Sequence, residues 1–126
     1  MEPQVSKLHI EERRVEDITI LSLTGEISLD DGDLAFGKKV DALLATGRRR
    51  FLIDLAGVTR IDSSGVGMLV AELKLVGQKG GAMKLVRLSQ TAHGVLGMLK
   101  LLTVFETFED EASGLRSFAW GARPEN

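Results

Sequence analysis

Apolar and polar residues alternate in two short stretches near the start of the chain. The first covers residues 7–10 and the second residues 18–23, and the polar residues 14–17 separate them. Alternation with a period of two is typical of strands that bury one face, and polar residues between two such runs are typical of a hairpin. The pattern predicts two antiparallel strands at an edge of a sheet, the second ending at Gly25.

The pattern then changes to a helical spacing. Residues 29–33 suit the start of a helix, Gly47 suits its end, and the apolar positions expected to face inward are Leu34, Val40, Leu43 and Leu44. A short, nearly continuous apolar run follows at residues 51–55. Runs of this kind are typical of strands buried on both faces, so we place this strand at the centre of the sheet.

A second helical pattern begins at Asp62-Ser63-Ser64-Gly65, with apolar residues at positions 66, 69, 70, 73 and 76 and glycines at 77, 80 and 81 to end it. Residues 83–88 predict the next strand. Ser89 or Thr91 can cap a helix that runs through Val95, Leu96, Leu99 and Leu102. Residues 104–108 predict a last strand, and acidic residues 109–111 begin a closing helix with Leu115 and Phe118 facing inward.

Strands that alternate with helices imply crossover connections between parallel strands. We therefore expect the α/β class, with a mixed sheet, parallel central strands and helices packed on it. The length of 126 residues suits a single domain spanning 1–126, with a core from about residue 5 to residue 118 and a frayed tail at 121–126.

Composition narrows the classes of function. The 16 basic and 18 acidic residues give a net charge of -2, which is too balanced for nucleic-acid binding, and the run Arg48-Arg49-Arg50 is read as a solvated turn. The chain has no cysteine, so disulfides and cysteine-ligated metals are excluded. Neither a secretory signal pattern nor an apolar run long enough to span a bilayer is present, so we expect a cytoplasmic protein without membrane insertion.

Catalytic chemistry finds little support in the sequence. Ser63 or Ser64 with His9 or His93 would be needed for nucleophilic catalysis, but the position two residues before Ser63 is Ile61, where a nucleophile elbow needs glycine. Neither histidine has a metal-binding partner at a useful spacing, and the glycines do not form a phosphate loop. We expect no enzyme activity, no metal and no cofactor.

The segment Asp62-Ser63-Ser64-Gly65 is the one informative motif, and two interpretations are open. Asp62, Ser63 or Ser64 can simply cap the helix by accepting hydrogen bonds from its first N–H groups. Alternatively, the motif is a functional site. The helix also carries a second apolar strip of Met68, Ala71 and Leu75, which indicates either a broadly buried helix or an exposed patch for a partner.

The motif, extended to Gly67 and preceded by the run at 51–55 and Val58, resembles the signature region of the STAS domain, the sulfate transporter and anti-sigma factor antagonist family. Residues 23–27 resemble the second strand of that family and its following loop, and residues 80–86 resemble the strand after the signature helix. The similarity runs from about Ile18 to Leu115.

The resemblance implies an anti-sigma factor antagonist in a partner-switching module that regulates transcription. In such modules the unphosphorylated antagonist binds an anti-sigma factor serine kinase and releases the sigma factor. The kinase then phosphorylates the serine that corresponds to Ser63, and a metal-dependent phosphatase removes the phosphate. Asp62 and Ser64 would shape the loop, and Gly65 and Ser28 belong to the same motif and partner-binding set. Met68 joins this set through the apolar strip of the helix. We expect a monomer or weak dimer.

Three positions depart from the family pattern. Ser28 replaces a frequent aspartate near the phosphorylation site, with Asp30 and Asp31 close by, while Gln90 replaces a frequent proline and Lys100 a frequent glycine.

A different class of function also fits the resemblance, namely a STAS scaffold in a stressosome-like complex or an accessory subunit of a lipid-transport complex.

Overall fold

The computed structural model describes residues 7–29 and 32–122, with the side chains of residues 119–122 left out. Its elements in chain order are β1 (Leu8–Val15), β2 (Ile18–Ile27), α1 (Gly32–Ala45), β3 (Arg50–Ile61), α2 (Ser63–Gln78), β4 (Ala82–Val86), α3 (Gln90–Met98), β5 (Thr107–Phe108) and α4 (Glu111–Ala122). The predicted core limit at residues 5 and 6 and the tail at 123–126 lie outside the described residues. Residues 121 and 122 of that tail belong to α4.

The sheet has the strand order β1-β2-β3-β4-β5. Strand β1 pairs antiparallel with β2, and every later pair is parallel. This arrangement confirms the predicted α/β class, with a mixed sheet and parallel central strands. Helices α1, α2 and α3 pack on one face of the sheet, whereas α4 packs on the other.

The sheet separates two apolar cores. The larger core holds side chains of α1, α2 and α3 against Phe51, Ile53 and Leu55 of β3. The smaller one places Phe118 of α4 against Leu52 and the neighbouring strands. Because successive strand residues point to opposite faces, β3 supplies both cores, and this explains its continuous apolar run.

Two details of the predicted elements are wrong. Strand β2 does not end at Gly25 but continues to Ile27, and Gly25 has a φ of 109° at a shift in register with β3. Leu34 does not face the core and is 50% exposed, because the inward face of α1 is set by Phe36 and Val40. Residues two positions apart on a helix lie on nearly opposite sides, so Leu34 points to solvent.

The segment after α3 also differs from the expectation. The helix ends at Met98, before the predicted inward positions Leu99 and Leu102. The last strand is limited to Thr107–Phe108, because Val104 is 48% exposed and Phe105 turns into the larger core. The predicted strand at residues 104–108 is therefore shortened to its last two residues.

Three helices end with the same backbone arrangement, in which one residue adopts a left-handed conformation and two N–H groups turn back to the last carbonyls. Gly47 after α1 and Gly80 after α2 adopt φ values of 100° and 84°. After α3 the same position is Lys100, with a φ of 61°, and Leu101 N donates to Leu96 O at 2.8 Å. A side chain at such a position is strained, which is the physical reason that glycine suits it better than lysine.

Replacing Lys100 by glycine should relieve this strain. We expect Lys100→Gly to raise the free energy of unfolding by about 0.5–1 kcal/mol, and the reciprocal Gly47→Lys to lower it by about 1 kcal/mol. Gly47 is a suitable control because a Cβ atom added there meets nothing within 4 Å. Urea unfolding followed by circular dichroism measures both changes. A loss of stability in Lys100→Gly would show that the lysine side chain itself stabilises this turn.

Candidate functional site

The carboxylate of Asp62 joins two segments at the carboxyl ends of β2 and β3. Asp62 is the N-cap of α2, and its Oδ1 accepts a hydrogen bond from Gly65 N at 2.9 Å. Its Oδ2 accepts a second one from Leu29 N at 3.0 Å, in the loop between β2 and α1. The same side chain therefore caps the helix and fixes the loop beside it.

These two N–H groups also hold the charge of Asp62. The backbone N–H groups of Leu29 and then Gly65 lower the pKa of the Asp62 carboxyl below its usual value, because they bond to the ionised form. The contribution of this carboxylate to stability is present at neutral pH and is lost as the pH falls through its lowered pKa. Asp62 is thus a negatively charged structural group next to Ser63 at neutral pH.

Gly65 allows the start of α2 to lie against the end of β2. A Cβ atom at Gly65 would be 1.9 Å from the carbonyl oxygen of Ile27, a distance that no side chain tolerates. Gly67, two residues later, has nothing within 4 Å of such an atom. Gly65 is therefore required for the close approach of α2 to the backbone of β2, whereas Gly67 is not.

Ser63 is exposed as the first residue of α2, and Ser64 is half-buried. The sequence left open whether Asp62, Ser63 or Ser64 caps α2. The structure shows that Asp62 is the cap. Within the described part of the chain the Ser63 hydroxyl group makes no hydrogen bond. Its oxygen is accessible at the N-terminus of a helix, where the dipole tolerates added negative charge.

Ser28 lies in the loop that Asp62 holds. It is buried, its Oγ donates a weak hydrogen bond to Glu26 Oε1 at 3.4 Å, and its carbonyl oxygen accepts from Asp33 N at 3.0 Å. Ser28 therefore shapes the loop and does not present its side chain at the surface. The nearby Asp30 and Asp31 lie outside the described residues.

Two exposed leucines border this loop, and sequence reasoning missed them. Leu29 is 57% exposed and Leu34 is 50% exposed. We call them the leucine patch. The sequence pattern predicts Leu29 in a polar helix start and Leu34 in the core. The available signal was a leucine at position 29 within an otherwise polar segment, since a lone apolar residue there has no helical face to join.

Met68 lies in the contact between α1 and α2. It is half-buried, and its Sδ would be 2.7 Å from a Cβ atom at Gly37, so the two helices approach closely at this point. Ala71 is exposed and Leu75 is half-buried. The second apolar strip is therefore partly packed against α1 and only partly a surface, and Met68→Asp would disturb this helix contact as well as the surface.

One turn after Met68, Glu72 is buried in the same helix contact. Its Oε1 has no hydrogen-bond partner among residues 7–29 and 32–122. Burial, followed by hydrogen bonding with and charge repulsion from the Asp41 carboxyl on α1, raises the pKa of the Glu72 carboxyl to about 7. Glu72 is thus protonated in mildly acidic solution and is forced to ionise in an unfavourable place above neutrality.

The histidines considered as catalytic bases are both exposed, His9 on β1 and His93 near the start of α3. In the described ranges no three side chains of the types that bind metals form a cluster. A search of the described helices for one long and apolar enough to cross a bilayer also finds none.

The fold is that of a small α/β domain. Its distinctive surface feature is an exposed serine at the start of the helix that follows the central strand. The family model of the STAS domain matches residues 9–114, and the chain belongs to this family. The resemblance drawn from the motif is thereby confirmed.

Curated and solved relatives agree with this assignment. The anti-sigma F factor antagonist of Paenibacillus polymyxa is 26% identical over 86% of this chain and 92% of its own length. A solved anti-sigma factor antagonist from Mycobacterium paratuberculosis has a TM-score of 0.77 at 19% identity, covering 87% of this chain and 92% of that chain. The solved antagonist SpoIIAA in its unphosphorylated form has a TM-score of 0.75 at 17% identity, covering 88% of this chain and 96% of that chain. SpoIIAA of Bacillus has also been solved in its phosphorylated form, with a TM-score of 0.67 at 17% identity and coverage of 87% and 97%. At these identities the structures show a shared fold.

The two glycines of α2 provide a matched test of the helix contact with β2. We expect Gly65→Ala to lower the free energy of unfolding by about 2–3 kcal/mol, because the added methyl group overlaps the Ile27 carbonyl oxygen. Gly67→Ala should instead raise it by about 0.5–1 kcal/mol through better helix propensity. Urea titrations of both variants make the comparison. Equal stabilities would mean that α2 does not approach β2 as described.

Glu72 gives a pH-dependent prediction. Its folded pKa is raised, so the folded state binds more protons than the unfolded chain between pH 4.5 and about 7, and stability falls as the pH rises through this window. Glu72→Gln removes this dependence. We expect the wild type to lose roughly 1–2 kcal/mol more than the variant between about pH 5 and pH 8. Unfolding measurements at both pH values provide the test, and identical pH profiles would contradict it.

Proposed function

We propose that this protein is an anti-sigma factor antagonist whose partner binding is controlled by phosphorylation of Ser63. The observation that carries the proposal is the placement of Ser63, exposed at the start of α2 while Asp62 performs the capping. Relatives over most of the chain bear the name anti-sigma factor antagonist, and one of them has been solved in a phosphorylated form. The function is one of binding, without catalysis, and its place is the cytoplasm.

The leucine patch supplies the apolar part of the proposed partner surface. Leu29 and Leu34 are exposed, and Leu29 is tied through its N–H group to the residue that precedes Ser63. Met68 is half-buried and packs against α1 at Gly37, about one turn after Leu34. Exposed apolar residues beside a modifiable hydroxyl group suit a surface that a partner covers.

A phosphate on Ser63 would add about 1.5 to 2 negative charges to this surface at neutral pH. Gly65 N already donates to Asp62, so this donor is not free to bind the phosphate. Arg60 is exposed nearby and partly balances the charge of Asp62. The dianion would therefore remain solvated, next to a fixed carboxylate, and the domain would stay folded because the helix dipole tolerates the charge.

Phosphorylation of Ser63 would change partner binding much more strongly than it changes the stability of the fold. Covering a dianion without a counter-charge, or placing it against a carboxylate of the partner, costs several kcal/mol. Each 1.4 kcal/mol changes the affinity about tenfold, so we expect phosphorylation to weaken binding by about a hundredfold to a thousandfold. The partners of the proposal are an anti-sigma factor serine kinase that binds and modifies the surface and a metal-dependent phosphatase that restores it.

A second candidate is a scaffold in a stressosome-like complex or an accessory subunit of a lipid-transport complex. The observation that favours it is a separate exposed apolar group at the end of α3, where Met98 is 79% exposed and Leu99 50% exposed. A subunit that makes permanent contacts would use such a surface. In that case Ser63 would not control assembly.

Capture of partners from a lysate of the source organism tests the proposal. We expect wild type and Ser63→Ala to retain a kinase-type ATPase, and Ser63→Glu to lose it, because only the last variant places negative charge at the site. Recovery of transporter or scaffold subunits equally by all three variants would overturn the switch in favour of the second candidate.

The leucine patch can be tested with the same assay. Leu34→Asp should reduce kinase capture at least about tenfold without unfolding the domain, since the side chain already lies in solvent. Leu99→Asp, equally exposed at the end of α3, is the matched control and should leave capture unchanged. Loss of capture by the control alone would place the kinase surface elsewhere.

A further inference from the structure

A pocket of about 340 Å³ lies at the amino ends of the parallel strands, whereas Ser63 lies beyond their carboxyl ends. It is formed where β3 and β4 begin, at the paired residues Arg50 and Ala82, and Phe118 of α4 borders it on one side. Strand β3 contains 12 residues, so Arg50 at its start lies roughly 35 Å from its last residue, which is close to Ser63. The pocket is therefore independent of the proposed phosphorylation site.

Two cations line this pocket. Lys84 is 7% exposed, and its Nζ lies 3.0 Å from Ser117 Oγ and 4.6 Å from the centre of the Phe118 ring. Ser117 Oγ donates to Gly114 O at 2.7 Å, so it is oriented to accept from Lys84. The ammonium group is thus held in a fixed position beneath α4, while the half-buried Arg50 stands at the pocket's edge.

Both cations are paired with carboxylates that remain mostly in water. Lys84 Nζ lies 3.3 Å from Glu106 Oε1, and the Glu106 side chain is 66% exposed. Arg50 Nη1 lies 2.9 Å from Asp17 Oδ2, and the Asp17 side chain is 62% exposed. Ion pairs with such exposed partners contribute little, so a stronger anion can displace these carboxylates. The buried lysine, in contrast, cannot move away.

The pocket is also lined by three small residues, Gly80, Gly81 and Ala82, which leave room beside the two cations. The volume lies within the range typical of small-molecule sites. Because Lys84 is recessed beneath α4, a flat protein or membrane surface cannot reach its ammonium group. The geometry suits a compact ligand with concentrated negative charge.

We propose that this pocket binds a small phosphate-bearing anion. Its phosphate group would lie between the Lys84 ammonium and the Arg50 guanidinium, replacing Glu106 and Asp17 as their partners. A guanidinium fork and a point-like ammonium are the two side chains best suited to phosphate oxygens. The ligand would join the start of β3 and β4 to α4, and it would stabilise the folded domain by mass action.

Inorganic phosphate added to the full chain, with sodium chloride at matched ionic strength as reference, tests the proposal by ¹⁵N–¹H nuclear magnetic resonance. We expect saturable shifts confined to the amides of residues 50 and 80–84. Glu106→Gln should tighten binding about two- to fivefold, because it removes the competing carboxylate, and Arg50→Gln should weaken it about tenfold. Glu106 is exposed and Arg50 is only half-buried, so both variants should fold.

Controls distinguish this site from the Ser63 surface. Arg60→Gln removes an exposed arginine at the other end of β3, and Ser63→Glu mimics the proposed phosphorylation, so both should leave phosphate binding unchanged. ADP is the second ligand tested, and tighter binding than that of phosphate would indicate a nucleotide, whereas equal binding would indicate the phosphate group alone. Shifts that do not saturate, or that Arg50→Gln and Glu106→Gln leave unaltered, would overturn the proposal.

Discussion

The two hydrogen bonds accepted by the Asp62 carboxylate are the interaction on which the structure around Ser63 depends. The carboxylate accepts one hydrogen bond from the helix that follows β3 and one from the loop that follows β2. Because the two strands are parallel neighbours, their following segments emerge at the same edge of the sheet, and one side chain can bond to both. Gly65 makes this possible by letting α2 approach the Ile27 carbonyl oxygen without a side chain between them.

The residues of the motif have different roles in this arrangement. Asp62 and Gly65 are structural, and their hydrogen bond leaves the Ser63 hydroxyl group accessible at the helix start. A serine that capped the helix would have its oxygen engaged by backbone N–H groups, and modification would then weaken the fold. With Asp62 as the cap, charge can be added at Ser63 while the fold is retained. This separation of stability from surface charge is what a reversible binding switch requires.

The two edges of the sheet differ in their chemistry. The edge with Ser63 carries the fixed negative charge of Asp62 beside exposed leucines, which suits contact with a protein partner. The other edge carries a buried lysine and an arginine around a small pocket, which suits a compact anion. Strand β3 connects these two ends of the sheet, so the proposed phosphorylation site and the proposed anion pocket share this central strand, although each is formed by different loops and helices.

Local patterns in the sequence were sufficient to predict the class, the element order and the central strand. The run at 51–55 identified a strand buried on both faces, and the spacing of apolar residues after Ser63 identified α2, because periodicity reflects burial directly. The motif also identified the family, and it predicts Asp62, Ser63 and Ser64 as key positions. Only the tertiary structure decided which of these residues caps the helix, since any of the three has a suitable oxygen. It likewise decided that Leu34 is exposed, that Met68 packs against Gly37 and that Lys84 is buried beneath α4. These facts depend on contacts between segments distant in the chain, and such contacts leave no periodic signal in the sequence.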